Sequence, residues 1–498
     1  MFKLGYGRQI IDRIPYEVLS YVFTLSKQTE VKRRGHADLF CLTVLPSVCR
    51  YWRRVALNTR AVRPTFDIYI WSLVTLSDRP PFHFSGLCLD RSGTNTPLDI
   101  EIYLSDRFLR STKLDTYADA MRRALNFIVA RGGVPSRWRS FWIYTPDGIH
   151  IDAQEAALEF VQSLEVPLLS LRRFEVQFHG SEDSDLEIYS RTSALSQKPL
   201  FHTLPTRLKV ATLERVPNSC LFASPGSPLL VGLTCLKFEF YPALPKLEHI
   251  NAVLAASPML EILSIDVRFQ VTPLSPGSNS QTSLGTGASL PKIYLPSLQS
   301  LALLFKARHY SVDWEHSLFR MIDAPNVRFL RFRLQHPTPR NKDIVNYLAK
   351  GPDLSNPSPL FPHLIGLDLL FEQSLVQYAS SNDLYRLYET VLTAYPSITT
   401  LVLLDRAWDD IFELRSWTLP CLERLIVSGG SPLGLKALVS GRRDVGLGPK
   451  TLEVLLSVTR SLRESLESYF REALDGLGVE LRFCYSGRRI HEVMGFGG

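Results

Sequence analysis

Residues able to do covalent chemistry are present in this chain, but none is spaced to do it. A His-Glu-x-x-His run would place two imidazoles on one helix face around zinc, and it does not occur. Neither does a Gly-x-Ser-x-Gly turn, which would raise a serine nucleophile, nor a Gly-x-Gly-x-x-Gly loop after a strand. Gly446-Leu-Gly-Pro-Lys-Thr has the outline of a phosphate loop, but Pro449 breaks its Gly-Lys-Thr core. His309 and His316 are seven residues apart with no acidic or cysteine partner at ligand spacing. The carboxylates of Asp405-Arg-Ala-Trp-Asp-Asp read as a solvated loop or a partner contact. The seven cysteines (41, 49, 88, 220, 235, 421 and 484) are odd in number and form no Cys-x-x-Cys pair, which argues against a disulfide framework or a structural zinc site. No catalytic residue, metal or cofactor is therefore expected, and the chain reads as a non-enzyme. The side chains suited to recognition are aromatics and arginines in short alternating segments: Trp142, Tyr144, Arg173, Phe329, Arg331 and Arg333.

The elements that carry those residues recur. Leu295-Pro-Ser-Leu-Gln-Ser-Leu-Ala-Leu fits the template Pro-x-φ-x-x-φ-x-φ, with φ apolar. The template returns at Pro258, Pro325, Pro362, Pro396 and Pro420. Without its proline it appears earlier, as Trp138/Phe141/Ile143, Leu171/Phe174/Val176, Leu208/Ala211/Leu213 and Leu233/Leu236/Phe238. This is the pattern of an irregular leucine-rich repeat. Each unit supplies one short strand whose inward residues cannot be buried alone, so stacking in a parallel sheet buries them together. Helical stretches lie between: residues 153–164, 246–256, 312–322, 342–349 and 383–394. Prolines before the strands end these helices, and a strand–helix–strand crossover predicts a right-handed array. Residues flanking the last two apolar positions of a unit face outward on the concave side, which makes the six recognition residues candidate target contacts. Thr451 to Leu474 reads as one long amphipathic helix, followed by a last strand from Val479, together capping the array. Loops 272–289, 181–196 and 441–450 read as mobile.

Composition agrees with a folded, non-membrane chain. The 498 residues are 45% hydrophobic and 21% charged, enough for a sizeable core. A net charge of +7 over this length does not argue for a nucleic-acid partner, and the run Lys32-Arg33-Arg34 reads as a solvated insert. The chain has no signal-like apolar region at its start, no membrane-length apolar run and no usable glycosylation sequon, so an intracellular setting, cytoplasmic or nuclear, is expected.

Upstream lies a different pattern. Ile14-Pro-Tyr-Glu-Val-Leu-Ser-Tyr-Val-Phe opens a helix, with Leu19, Val22 and Phe23 on one face. After a polar stretch, 27–38, comes Val48-Cys-Arg-Tyr-Trp-Arg-Arg-Val-Ala-Leu, with Val48, Trp52 and Val55 on one face. These two halves together resemble an F-box over residues 14–59. The polar insert is longer than the compact form, and Thr59-Arg-Ala-Val-Arg-Pro replaces the usual Thr-Pro-x-Leu-Trp ending. Residues 87–102, with Arg91-Ser92-Gly93 and then Pro97-Leu98, are similar to the leader of the large basidiomycete fungal F-box families, and Arg137-Trp138 to their Arg-Trp element.

The resemblance implies that Ile14, Pro15, Val18, Leu19, Val22, Phe23, Val48 and Trp52 dock a Skp-type adaptor, and through it a cullin–RING ubiquitin ligase. The expected fold is α/β: a small helical F-box, then a right-handed leucine-rich-repeat solenoid with a curved parallel sheet and helical returns. The expected divisions are a tail 1–13, the F-box 14–65, linker strands and helix 66–136, repeats 137–450 and a cap 451–498. The expected function is target recognition in an SCF-type ligase, as a monomer within a hetero-complex. The alternative is a repeat scaffold whose F-box no longer docks.

Overall fold

The computed structural model describes residues 14–31, 48–58, 73–76, 82–103, 117–145, 151–178, 198–222, 228–240, 244–267, 290–305, 312–335, 341–353, 355–372, 381–404, 419–428, 431–456 and 460–484. The chain is α/β, with large parallel sheets and helices between the strands. It divides into two compact units, Met1–Ser181 with Phe201–Arg207, and Glu182–Leu200 with Leu208–Gly498. The first linker residues 66–71, the expected loops 181–196 and 272–289, the run 32–34, the cluster 405–410 and His309 lie outside the described residues.

Unit one contains helices α1 (Tyr16–Val31), α2 (Arg50–Asn58), α3 (His83–Ser92), α4 (Tyr117–Ala130) and α5 (Ile151–Gln162). Its strands are β1 (Leu73–Leu76), β2 (Leu98–Tyr103), β3 (Trp138–Thr145) and β4 (Arg173–Phe178), parallel and adjacent in chain order. Alternation puts Ile100, Ile102, Phe141, Ile143, Phe174 and Val176 on one face, all buried. Trp138, Phe141 and Phe174 stack along that face, with successive ring centroids 4.8 and 5.7 Å apart.

The Arg137-Trp138 pair has a structural task. Arg137 is buried with no carboxylate hydrogen-bonded to it among its described contacts. It donates to the Gly132 carbonyl (2.6 Å), the Thr96 carbonyl (3.0 Å) and the Ser92 hydroxyl (2.9 Å). Ser92 and Gly132 stand at the C-terminal ends of α3 and α4, where partial negative charge accumulates. Burial lowers the Arg137 pKa, and those helix ends supply the compensating acceptors. Trp138 Nε1 donates to Gly133 (2.8 Å), and Gly132 takes a φ of 82°, open to glycine without strain. The Arg-Ser-Gly and Arg-Trp motifs are thus two halves of one fastening.

Unit two holds strands β5 (Val210–Glu214), β6 (Cys235–Phe240), β7 (Ile262–Val267), β9 (Ser300–Phe305), β11 (Phe329–Gln335), β12 (Gly366–Glu372), β13 (Thr400–Leu403), β14 (Arg424–Ser428), β15 (Thr451–Leu455) and β16 (Glu480–Cys484). These lie side by side in that order, all parallel. The short β8 (Ile293–Tyr294) and β10 (Ile322–Asp323) pair separately. Helices α6 (Asn218–Leu221), α7 (Leu247–Ala255), α8 (Val312–Met321), α9 (Asn341–Lys350), α10 (Ser381–Ala394), α11 (Pro432–Asp444) and α12 (Arg460–Leu474) fall between strands.

Register is carried by one repeated backbone contact. The carbonyl just before each of β5 to β7, β9 and β11 to β14 accepts two N–H groups from the next unit. Gln299 O accepts from Arg328 and Phe329 (2.8 and 3.0 Å), Arg328 O from Ile365 and Gly366 (2.9 and 3.0 Å), and Ile365 O from Thr399 and Thr400 (2.9 and 3.1 Å). Lys209, Thr234, Glu261, Thr399 and Glu423 do the same. The shared register aligns Leu236, Leu263, Leu301, Leu330, Leu367, Leu401 and Leu425, each 0% exposed, in one row.

The recurring prolines sit in turns at the strand starts. Leu298 N–H reaches the Leu295 carbonyl (3.2 Å), and Val327, Leu364, Ile398, Leu422 and Leu260 repeat the contact three residues back. Pro296, Pro325, Pro362, Pro396, Pro420 and Pro258 occupy the second turn position, where a fixed φ helps and no N–H is required.

Two expectations are corrected at the C-terminal side. Thr451 to Leu474 is not one helix: Thr451–Leu455 is a strand pairing β14 and β16, and the helix begins at Arg460. Leu452 and Val454 alternate with Thr451, Glu453 and Leu455, and the sheet edge offered by β14 selects this period over the helical one. Nor is 441–450 an open loop: α11 runs to Asp444, and Pro449 is buried. Strand β2, within the expected linker 66–136, pairs in parallel with β3.

The two ways of holding a unit can be separated. Leu301→Ala empties a fully buried site and is expected to cost about 2–5 kcal/mol. Gln299→Ala trims an exposed side chain but keeps the doubly used carbonyl, and should stay within about 0.5 kcal/mol. Urea denaturation of both variants measures the difference; equal losses would refute the backbone account of register.

Candidate functional site

The residues that the sequence points to lie on a helix pair and on the sheets. The pair is α1 and α2. Inside it, Leu19 (1% exposed), Phe23 (0%) and Val55 (0%) are buried. The Phe23 and Trp52 rings are 5.1 Å apart, and Tyr51 Oη donates to the Ile14 carbonyl (2.8 Å). Helix α1 shows a second apolar stripe to solvent: Val18 (49%), Tyr21 (45%) and Val22 (46%), spaced i, i+3, i+4. Tyr16 and Val48 are also exposed. Arg50, Arg53 and Arg54 stand exposed on α2, and Glu17 on α1.

The eight expected docking residues therefore divide. Val18, Val22, Pro15 and Val48 are exposed and Ile14 half-buried, while Leu19 and Phe23 form the interior of the pair and Trp52 is half-buried against Phe23. Leu19, Val22 and Phe23 do not share one face as expected: Val22 turns out with Val18, since 100° per residue separates the stripes. Tyr16 and Tyr21 were missed. Their signal was available as a second i, i+3 series beside Val18.

The others lie on sheet faces opposite the buried apolar rows, Trp142, Tyr144 and Arg173 in unit one and Phe329, Arg331 and Arg333 in unit two. Here the expectation of open contact residues is corrected. Arg331 is buried, and its Nε donates to Asp368 Oδ2 (2.5 Å); Arg333 donates to the same oxygen (2.8 Å). Register places Arg331 directly opposite Asp368 on the neighbouring strand, so a charge read as a free contact is spent internally. Burial alone would raise the Asp368 carboxyl; the Arg333 and Arg331 charges and hydrogen bonds outweigh it and hold it below the usual carboxylate range. Burial in turn lowers Arg331, with Asp368 opposing.

The remaining four divide as well. Tyr144 is buried, its ring 5.6 Å from that of Trp142, which is half-buried. Arg173 is half-buried and paired to Glu175. Phe329 is half-buried against an apolar cluster of Ala302, Leu304, Val402 and Ile426. Further ion pairs join adjacent strands: Arg215 with Glu239 (3.0 Å), and Glu453 with Arg424 and Arg482. Which acidic residue meets which arginine is not readable from the sequence, because pairing across strands is invisible until register is known.

Among the described residues, no group of three or more His, Cys, Asp and Glu side chains could hold a metal ion. No helix among them is long and apolar enough to cross a membrane. His316 packs edge-on against Tyr347, with ring centroids 6.1 Å apart. In comparison with known proteins, the chain matches no family model and no curated sequence.

Asp368 gives the surface a pH signature. Its folded pKa is depressed, so its contribution is full above about pH 4, where the unfolded carboxyl ionises, and is lost as pH falls through the folded value. Asp368→Ala leaves two guanidinium groups without that countercharge and is expected to cost about 3–5 kcal/mol at pH 7. Urea midpoints from pH 7 down to pH 3 check this. The difference between wild type and variant should shrink in acid; a constant difference would show that Asp368 is not a charged partner.

Proposed function

We propose that this chain is the target-recognition subunit of a Skp adaptor–cullin–F-box ubiquitin ligase. Residues 14–59 act as the F-box, and the strand–helix units act as a right-handed leucine-rich-repeat solenoid that holds a target protein. The observation that carries the reading is the two-faced helix α1: one apolar stripe closes on α2, and a second, Val18/Tyr21/Val22, faces solvent. An exposed apolar stripe flanked by cations suits docking into a partner's apolar groove with an acidic rim. The F-box resemblance of the residues on those two helices names the partner as a Skp-type adaptor.

In this reading the chain performs no reaction. Its work is proximity: adaptor and cullin bring a charged ubiquitin carrier, the sheet brings the target, and local concentration drives transfer. A long parallel sheet built from repeated units supports the second half, since such arrays present extended surfaces to proteins.

The test is co-purification of the full chain with a Skp-type adaptor. Val18→Glu with Val22→Glu alters exposed residues, so folding should persist while capture falls at least about thirtyfold, the loss of a hot spot of about 2 kcal/mol. Leu19→Glu serves as the contrast, because it acts through the interior and should reduce thermal stability as well. Undiminished capture by the folded double variant would sink the docking surface. Failure of the wild type to capture any adaptor would instead leave a repeat scaffold with a non-docking F-box.

A further inference from the structure

In unit two, a proline-rich loop joins α9 to β12: Gly351-Pro-Asp-Leu-Ser-Asn-Pro-Ser-Pro-Leu. Pro352, Asp353, Ser355, Asn356, Pro357 and Ser358 are exposed, and none lies in a helix or strand. Pro357 and Pro359 bracket Ser358. The residue before a proline is pushed toward extended backbone, so Asn356 and Ser358 are both held to that shape. An exposed, extended serine followed by proline is the form of substrate that a proline-directed kinase takes. The other Ser-Pro and Thr-Pro pairs with both residues described are placed differently. Ser257 is buried, Thr96 is half-buried, and the Ser431 side chain accepts the Gly434 N–H as the cap of α11. Ser355 has no proline after it, and its hydroxyl donates to Asp353 (2.6 Å).

Ser358 also belongs to a clasp that closes the end of α9. Its N–H donates to the Lys350 carbonyl (3.0 Å), and the Leu360 N–H donates to the Leu348 carbonyl (3.0 Å). Both acceptors lie in the last helical turn, where carbonyls lack intrahelical donors and partial negative charge accumulates. Gly351, whose N–H donates to the Tyr347 carbonyl (2.9 Å), turns the chain with a φ of 70°. A Cβ on Gly351 would stand 2.5 Å from the Ser358 carbonyl oxygen and 3.8 Å from the Ser358 Oγ. The clasp therefore closes only over glycine, and it holds the Ser358 hydroxyl at the negative end of the helix.

We propose that Ser358 is a phosphorylation site for a proline-directed protein kinase, and that the phosphate releases the clasp. In the transfer, the Ser358 Oγ bonds the γ-phosphorus of ATP, the bond from that phosphorus to its bridging oxygen breaks, and ADP leaves. The hydroxyl proton passes to the kinase. The product carries about −1.5 to −2 charge at pH 7. Negative charge at a helix C-terminus meets like partial charge, so the phosphate disfavours the contact between Ser358 and the Lys350 carbonyl. Lys350, exposed in the last turn, offsets part of that repulsion. The outcome is a loosened end of α9 and an anionic, exposed loop on unit two. The proposal goes beyond the ligase reading and does not rest on it.

The experiment treats the full chain, without adaptor, with a proline-directed serine/threonine kinase and magnesium-ATP. Mass spectrometry locates the phosphate, and amide hydrogen exchange reads the clasp. Phosphate is expected on Ser358 and not on the buried Ser257. Exchange at the Gly351 and Ser358 amides should then quicken by roughly two- to fivefold, the effect of one adverse charge at a helix end. Ser358→Ala keeps the backbone clasp, so both amides should stay slow after the same treatment. Gly351→Ala should quicken them with no kinase present, because its Cβ meets the Ser358 carbonyl. No phosphate on Ser358 of the folded wild type, unchanged or slower exchange once Ser358 is phosphorylated, or equal quickening in Ser358→Ala would each overturn the proposal.

Discussion

One backbone oxygen per unit, accepting two N–H groups from the next, sets the geometry of the sheet in unit two. The contact at Gln299, Arg328 and Ile365 is the same each time, although the side chains at those positions differ. Because it is made by main chain, it tolerates any residue, and the units vary in length without losing register. Register in turn aligns the leucines. A row of fully buried side chains on consecutive strands needs every strand to start at the same height, and these carbonyls define that height. The turn prolines contribute by presetting the chain one residue after each turn begins.

The opposite face follows from the same register, with different consequences. Parallel in-register strands place like positions side by side, so charges on that face must be matched across strands. Arg331 with Asp368, Arg215 with Glu239, and Arg424 with Glu453 are such matches. Burying ions is costly unless they are paired, so these pairs add specificity of alignment more than net stability.

The helix pair α1 and α2 obeys a simpler constraint. A lone short helix is marginal in water, so α1 must bury one stripe, and Leu19 and Phe23 do so against α2. The second stripe is surplus to folding. Exposed apolar area of that kind costs solubility and is retained where a partner covers it.

Much of the architecture was legible in the residues alone. The apolar template marked β3 to β7, β9 and β11 to β14, because alternation is a local property: a residue two positions away faces the same side whatever surrounds it. Helices between the strands were placed within a few residues for the same reason, through their 3.6-residue period. Local pattern failed where two periods competed, as at Thr451–Leu455, where the neighbouring strand decided. It failed more completely for the site. That Arg331 is an outward position follows from sequence; that Asp368 lies opposite and neutralises it depends on the pairing of strands separated by a helix. That Leu19 is interior and Val18 exterior depends on where α2 packs. Along the strands, alternation in the residues was enough to say which side chains share a face. Which faces are covered and which charges meet depended on the packed chain, because burial and pairing arise between segments distant in sequence and no local period encodes them.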